Sequence, residues 1–220
     1  MLWGAWGEEG LRRRIEEDIQ PQIEAGQAVR LLGFNEPDSE VQSDMSVDEV
    51  VSYWSVLEET GLALATPAPV HAEKGWMVDF MRTAEEACLR MDYIAVHWYG
   101  PPSPNSFKNK MRQIYQKHGE TRPLLVTEFS PADWNAKTPA ENRYSTAQVL
   151  EFMKVVIPWM EEPEQDWIAG YAWFSFKQTE AAGTSSALFD VYGFPTMLAR
   201  YYASVTNENP SGDQSIEIVA

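Results

Sequence analysis

Two glutamates directly follow apolar runs, at points where a chain usually turns toward solvent. The first run, within LLGFNEPD, ends in Asn35 and Glu36, and the second, PLLVTEFS, delivers Glu128. A single glutamate at such a place is more often a helix cap or a solvated loop residue. Two of them, 92 residues apart and in the same relation to their runs, favour a pair that works together.

Two carboxyl groups facing each other across a cleft suit the chemistry of glycoside hydrolysis. One carboxyl must be protonated so that it can help the leaving oxygen depart, while the other attacks the sugar or activates water. The chain has nine tryptophans. A core accounts for many of them, and sugar-binding clefts are one place where exposed indoles are useful. We therefore interpret the pair as catalytic.

Five short and rather continuous apolar runs predict buried strands of a parallel sheet. They begin at Arg30, Leu62, Asp92, Pro123 and Ile168. The first four starts lie 30 to 32 residues apart, which matches a strand-helix unit of about 30 residues. A barrel of eight such units, with about 250 residues, has the same period.

Helical patterns fill the gaps between the runs. The segment from Ser46 to Gly61 has a capping box, with Glu49 three residues after the serine, and closes with glycine. The last of the helices contains Pro158, which we expect to kink or end it. That last helix starts near Ser145, and two further helices are predicted to start near Gly75 and Ser106. The alternation predicts a parallel α/β architecture, with MLWG as a sixth strand at the N-terminus.

The apolar runs give way to polar and aromatic residues at their C-terminal ends. Active sites of parallel α/β folds lie at the C-terminal ends of the strands. We therefore expect the side chains at these ends to converge on one mouth: Asn35, Glu36, His97, Trp98, Tyr99, Glu128 and Trp173. Because a strand alternates its faces, at least one of Trp98 and Tyr99 should point away from the barrel axis.

Other chemistries have weaker support. His97 has no second histidine or cysteine at ligand spacing nearby, so we expect no metal site, and no organic cofactor is implied. His97 could instead be a core histidine whose hydrogen bonds are made within the protein. A hydrogen bond to a carboxylate or to a sugar hydroxyl fits its position better. Ser130 and Ser175 lack the nucleophile-elbow motif of serine hydrolases.

Composition limits the partners. The net charge of −16 weighs against nucleic acid, which requires a basic face. No apolar run approaches the length of a membrane span, and no signal peptide is visible. The single cysteine, Cys88, lies in a helical pattern and is predicted to be a buried, inert thiol. Oligomeric state is left open by these features.

Several motifs together make the sequence resemble glycoside hydrolase family 128. They are LLGFNEPD, VHWYG, VTEFS, YAWF and ALFDVYGFPTMLARYY, and the resemblance extends from Met1 to about Tyr202. The family consists of retaining endo-β-1,3-glucanases of clan A with a (β/α)8 barrel. The resemblance therefore implies a TIM-barrel fold and hydrolysis of β-1,3-glucan by double displacement.

The resemblance also implies roles for individual residues. Glu36 would be the general acid/base and Glu128 the nucleophile, while Asn35 would hydrogen-bond the sugar 2-hydroxyl. His97 and Tyr99 would flank the nucleophile. The implied aromatic contacts to the substrate come from Trp3, Trp98 and Trp173, the last as the floor of the subsite at the cleavage point.

The sequence departs from the family at its start. The family usually has two further strands before a Pro-Met-Leu-Trp-like segment, whereas this chain begins at MLWG. We therefore expect an N-terminally incomplete barrel of about six strands, as in a shortened version of a longer chain. The predicted domain covers residues 1–205, and residues 206–220 are predicted to form an irregular tail.

Two alternatives remain open at this stage. The same mechanism could act on another β-linked polysaccharide, such as cellulose, mannan or xylan. The chain could instead be a glucan-binding protein that kept the cleft and lost turnover. A β-glucan polysaccharide or oligosaccharide is the expected partner in either case, and this class of substrate implies an extracellular, cell-surface or periplasmic location.

Overall fold

The computed structural model describes residues 1–119 and 122–208, and these form an α/β structure. The described helices are α1 (Gly7–Arg14), α2 (Gln20–Glu24), α3 (Val47–Glu58), α4 (Gly75–Glu86), α5 (Pro104–Ile114), α6 (Thr146–Met160) and α7 (Met197–Glu208). Single π-helical turns follow α1 and α5, at Ile15–Ile19 and Tyr115–Gly119. The strands are β1 (Arg30–Leu32), β2 (Ala63–Ala65), β3 (Ile94–Gly100), β4 (Leu124–Pro131) and β5 (Ile168–Trp173).

Strands that follow one another in the chain are neighbours in the sheets. β1 pairs with β2 in parallel, with Leu31 opposite Leu64, and the other sheet has the order β3-β4-β5. Isolated parallel bridges extend the ladders, joining Leu2 to Phe34, Asn35 to Ala68 and Ala65 to Tyr93. Within the described residues the ladders form two sheets and no closed barrel. All five predicted runs are strands, whereas the predicted sixth strand is reduced to the bridge made by Leu2.

The described chain divides into two units. The first comprises Met1–His97 and Ile114–Thr127, and it contains β1 and β2. Its core includes a cluster of small and aliphatic side chains, formed by Leu32, Ala65, Ala68, Ala95 and Leu125. Trp54 is fully buried in the same unit and donates its indole N–H to the carbonyl of Arg90, at 2.9 Å.

Among the described residues, the second unit comprises Trp98–Gln113 and residues 128–208, with β5 and the helices α6 and α7. An aromatic cluster dominates its core. The ring centroids of neighbouring members lie 5.2 to 6.4 Å apart, and the members are Trp98, Phe107, Phe129, Phe152 and Trp173. Buried aromatics therefore account for several of the tryptophans that the composition counts.

A close approach of two backbones explains the glycine that follows β1. A Cβ atom at Gly33 would lie 2.7 Å from the backbone nitrogen of Pro67 and 2.9 Å from the carbonyl carbon of Thr66. Real Cβ atoms do not come this near to backbone, so only glycine allows the chain after β1 to lie against the chain after β2.

The helix ends follow the predicted signals. The Ser46 hydroxyl accepts a hydrogen bond from the backbone amide of Glu49 at the start of α3. α6 begins with a complete capping box between Ser145 and Gln148. Pro158 does not end α6 where it occurs, because the helix continues to Met160. A proline so near the C-terminus removes one hydrogen bond from a turn that is about to end.

The segment before β1 and the environment of Cys88 also differ from the sequence analysis. The segment containing α1 and α2 was not predicted to be helical, because its polar surface hides the pattern and Leu11 is the one buried residue within α1. Cys88 was predicted to be buried and is exposed. It lies just after α4 with φ 55°, in the left-handed conformation that ends helices, and this turn carries its side chain outward.

The C-terminal helix extends into the segment that was predicted to be an irregular tail. α7 includes residues 206–208, so the predicted tail does not start at 206, and the rest of that prediction, residues 209–220, lies outside the described residues. Among the described helices, none combines the length and apolar character needed to cross a membrane.

Candidate active site

Glu36 lies in a strained turn beyond the end of β1. Its φ angle is 41°, in the left-handed region that residues with side chains seldom adopt. Its backbone amide donates to the carbonyl of Ala68 at 2.9 Å, and the amide of Asn35 donates to the carbonyl of Leu2 at 3.1 Å. Such strain persists only where the surroundings hold the backbone firmly, and it concentrates at functional sites.

The Glu36 carboxylate has a histidine partner in the first unit. Its Oε1 atom lies 3.0 Å from Nδ1 of His97, a residue of β3. The side chains are 13% and 1% exposed, respectively. The hydrogen bond to a carboxylate that was expected for His97 is therefore present, and the carboxylate is that of the predicted acid/base.

The neighbouring amide is fixed by a residue that the sequence analysis did not select. Nδ2 of Asn35 donates to Oε1 of Gln42 at 3.1 Å, and Asn35 is 6% exposed. Because one amide hydrogen is committed to Gln42, the orientation of the Asn35 side chain is set by the protein. This contact holds the residue that is predicted to meet the sugar 2-hydroxyl.

Asp38 fastens the same turn to the loop after β2. One carboxylate oxygen accepts from the backbone amide of Val70 at 2.7 Å, and the other accepts from that of His71 at 3.1 Å. Charge-assisted hydrogen bonds of this kind are stronger than neutral ones. The strained backbone at Glu36 is thus braced by a carboxylate two residues further along the chain.

Glu128 belongs to the second unit and is half-buried within β4. The hydroxyl of Tyr99 donates to its Oε2 atom at 2.5 Å. The tyrosine ring packs edge-to-face against Phe174 and Phe176, with centroids 5.5 and 5.8 Å away. These rings restrict the tyrosine, so its hydroxyl holds the predicted nucleophile in one orientation.

The structure corrects the prediction at Trp98. This residue is 6% exposed, and its ring stacks on that of Phe152 with an interplanar angle of 7°. The ring of Phe107 packs edge-to-face against it. Strand alternation turns Trp98 away from the face on which Tyr99 contacts Glu128, so the Trp98 ring packs into the core of the unit. We therefore leave Trp98 out of the proposed substrate contacts.

The other two predicted tryptophans differ in exposure. Trp173 is 7% exposed and donates its indole N–H to the carbonyl of Ser186 at 3.0 Å. Trp3 is 45% exposed and lies beside Trp6, with ring centroids 6.1 Å apart. The Trp3 carbonyl also accepts from the amide of Asn35 at 3.3 Å, which ties this exposed indole to the Glu36 turn.

Further aromatic residues around Tyr99 were not selected from the sequence. Trp134 lies six residues after Glu128, in the polar segment PADWNAK, and is 60% exposed. Phe174 and Phe176 follow Trp173, just beyond the end of β5. A large indole in an otherwise polar loop is the signal that could have identified Trp134.

These features define a class of protein. An α/β scaffold presents two glutamates beyond or within strands, and each is held by a polar side chain of β3. That arrangement is typical of hydrolases that use a pair of carboxyl groups.

The chain belongs to the family described as glycosyl hydrolase catalytic core, whose sequence model matches residues 1–202. Solved structures confirm the resemblance to glycoside hydrolase family 128. One is a subgroup I endo-β-1,3-glucanase from Amycolatopsis mediterranei in complex with laminaritriose. It is 26% identical, the match covers 91% of this chain and 80% of that chain, and the TM-score is 0.73. The same bacterial enzyme was also crystallised with one or another of two glutamates replaced.

Two further proteins are similar to this chain. A subgroup VII oligosaccharide-binding protein from Cryptococcus neoformans shares the fold, with a TM-score of 0.70, 18% identity, and coverage of 94% of this chain and 79% of that chain. Alkali-sensitive linkage protein 1 of Schizosaccharomyces pombe is 25% identical over 184 residues, which is 79% of this chain. The chain spans 32% of the length of that relative.

Proposed function

We propose that the protein is a retaining endo-β-1,3-glucanase in which Glu36 and Glu128 act as a pair. Membership of the glycosyl hydrolase catalytic core family supports glycosidase chemistry. The bacterial relative named an endo-β-1,3-glucanase supports the linkage and the mode of cleavage. The observation that carries the proposal is that both glutamates have hydrogen-bond partners on one strand.

That strand is β3. His97 contacts Glu36, and Tyr99 contacts Glu128. Side chains two residues apart on a strand project to the same face. The proposed mechanism requires the two carboxyl groups to meet the same sugar. A retaining enzyme requires them about 5–5.5 Å apart, whereas an inverting enzyme separates them by about 6.5–9.5 Å.

The proposed reaction has two steps. Glu128 attacks the anomeric carbon while Glu36 gives its proton to the departing glycosidic oxygen, which forms a glycosyl-enzyme and releases the first product. Glu36, now a base, removes a proton from water, and this water displaces Glu128 from the sugar. His97 orients the first carboxyl group and Tyr99 the second. Asn35, held by Gln42, is suited to binding the sugar 2-hydroxyl.

Substitution of each glutamate tests the pair. Glu36→Gln and Glu128→Gln should each abolish release of reducing ends from laminarin, because each step of the mechanism requires both groups. Glu164→Gln is the matched control, since Glu164 is an exposed residue of a short turn. Near-normal turnover in either of the first two variants would contradict the assigned roles.

Rescue by azide separates the two roles. With an aryl glycoside that needs no acid assistance, Glu36→Ala should still form the glycosyl-enzyme, and azide should then give the β-glycosyl azide. Glu128→Ala should give the α-glycosyl azide, because azide replaces the nucleophile. The same azide anomer from both variants would contradict a retaining mechanism with these assignments.

The product profile tests the mode and the polymer. Mid-chain cleavage of β-1,3-glucan should release a range of oligosaccharides from the first minutes, whereas cleavage from chain ends releases one short product. Cellulose, mannan and xylan serve as comparison substrates. Affinity for laminarin without any release of reducing ends would instead identify a binding protein.

The fold and the location follow from the same proposal. We infer a (β/α)8-type fold, supported by the parallel bridges that join successive segments from Leu2 to Tyr93, by the strand order β3-β4-β5 and by the helices between the strands. A polymeric glucan substrate would place the protein outside the cell, in the periplasm or at the cell surface.

A further inference from the structure

The second unit presents an aromatic surface beside Tyr99 that the proposed reaction does not use. Trp134 is 60% exposed, and Phe174 is 37% exposed. The Trp134 ring lies 5.7 Å from that of Tyr99, at 76°, and 6.1 Å from that of Phe176, at 70°. Single exposed apolar residues are common on protein surfaces, but a contiguous set of rings rimmed by polar residues marks a binding site.

The loop that carries Trp134 is fixed by the residue before it. Asp133 is 1% exposed, and its carboxylate accepts hydrogen bonds from Nε and Nη2 of Arg143 at 2.8 and 2.7 Å. The same carboxylate accepts from the backbone amides of Arg143 and Asn135. The Asp133 amide donates to the carbonyl of Ala182 at 2.7 Å. The exposed indole of Trp134 is thus attached to a backbone that several hydrogen bonds of Asp133 hold in place.

The base of the surface is equally constrained. Phe176 packs so closely against Gly183 that an added Cβ atom would overlap the phenyl ring. Asn142 donates to the carbonyls of Ala181 and Ala182 and so holds this stretch in place. The rings around Trp134 therefore form a preorganised surface, which lowers the entropic cost of binding a ligand.

Packing alone does not account for the indole. Phe176 is 7% exposed and already covers the tyrosine ring, whereas more than half of Trp134 faces solvent. The Asp133 charge beside it is matched by Arg143, so the surface suits a neutral ligand. The ring contact with Tyr99, whose hydroxyl binds Glu128, connects this surface to the predicted nucleophile.

We propose that Trp134, supported by Tyr99 and Phe176, forms a platform for a glucose unit of a β-glucan chain. Glucose with equatorial substituents offers broad C–H faces that can lie against an indole, and an aromatic wall with few polar groups is usual in ligand sites. This inference rests on the proposed function, because it assigns the platform to the same substrate. The platform positions the chain and takes no part in bond cleavage.

Binding to a protein that cannot turn over the ligand gives the test. In a Glu36→Gln background, laminarihexaose binding is measured by calorimetry with and without Trp134→Ala. The dissociation constant should rise roughly tenfold or more, as expected for removal of an aromatic hot spot. Trp134→Phe should lose less, and Tyr192→Ala should bind like the parent, since Tyr192 is 82% exposed on another loop. Thermal melting of each variant shows that folding is retained.

The outcomes separate the two proposals. If Trp134→Ala binds laminarihexaose within about twofold of the parent, the platform assignment is wrong, whatever the wild-type activity. If the wild type releases no reducing ends but Trp134→Ala loses affinity, the hydrolase proposal fails and the platform stands. A parent that does not bind laminarihexaose overturns the platform. Mannohexaose, with its axial 2-hydroxyl, should bind more weakly than laminarihexaose to the parent.

Discussion

Nδ1 of His97 lies 3.0 Å from Oε1 of Glu36, although the two residues are 61 positions apart in the chain. β3 supplies the histidine and the turn after β1 supplies the glutamate, so the contact depends on correct assembly of the first unit. With side chains 1% and 13% exposed, the pair is largely shielded from water, which strengthens electrostatic interactions between the two groups.

The first prediction concerns this contact. His97→Gln should lower kcat at least tenfold with a smaller change in KM, because a hydrogen bond to a charged group is worth about 1.5–3 kcal/mol. Hydrolysis of laminarin is the measurement. His118→Gln is the control, since His118 contacts the carbonyl of Ala72 instead. A kcat within twofold of the wild type for His97→Gln would remove the histidine from the mechanism.

The second prediction concerns the other carboxylate. Tyr99→Phe keeps the packed ring and removes the hydroxyl that donates to Glu128, so we expect kcat to fall about ten- to hundredfold with little change in melting temperature. Tyr171→Phe makes the same chemical change at a tyrosine that donates to Glu161. Equal effects on kcat in the two variants would show that the role of Tyr99 is not specific.

The third prediction is a dependence of stability on pH. The hydrogen-bonded guanidinium of Arg143 holds the pKa of Asp133 well below its ordinary value of 3.8. A lowered pKa in the native state means that the ion pair stabilises the fold above pH 3.8 and loses this contribution as the pH falls toward the native pKa. The stability difference between wild type and Asp133→Asn should therefore be constant from pH 7 to 5 and narrow below pH 4.

Urea unfolding of both proteins at several pH values measures this difference directly. Other carboxyl groups titrate alike in the two proteins, so they cancel in the comparison. A gap that stays the same at pH 3 would show that the Asp133 charge contributes nothing to stability.

The fourth prediction concerns backbone packing in the first unit. Gly33→Ala places a methyl group against the backbone of Thr66 and Pro67, and overpacking of this kind costs about 1–3 kcal/mol of unfolding free energy. Gly75→Ala is the matched control, because a Cβ atom added there, at the start of α4, would have nothing within 4 Å. That change should leave stability unaltered or raise it by up to about 1 kcal/mol. Equal stability of the two variants in urea would contradict the close approach.

Much of the fold could be predicted because it depends on local periodicity. The strands beginning near Arg30 and Pro123 are continuous apolar runs, and the helices after Ser46 and Ser145 carry explicit capping signals. The segment with α1 was missed since it packs mainly through Leu11, which leaves no apolar stripe to detect. The chain reversal that exposes Cys88 depends on a single backbone angle, and composition does not reveal that angle.

The sequence points to the two carboxyl groups of the candidate site more readily than to the residues around them. Glu36 and Glu128 can be recognised because each directly follows an apolar run. Gln42 and Trp134 lie in loops. The position of a loop side chain depends on tertiary contacts, such as the hydrogen bonds from Arg143 to Asp133. Trp98 illustrates the opposite error, since a strand-end tryptophan belongs to the core when its neighbour takes the functional face.

The left-handed backbone at Glu36 has a consequence for attempts to raise the thermal stability of the protein. A non-glycine residue held in that conformation carries a cost of order 1–3 kcal/mol, which glycine would relieve. Selection for thermal stability alone would thus favour glycine at position 36 and would remove the carboxyl group that the proposed reaction needs. Selection for stability should therefore measure catalytic activity together with thermal stability from the first round.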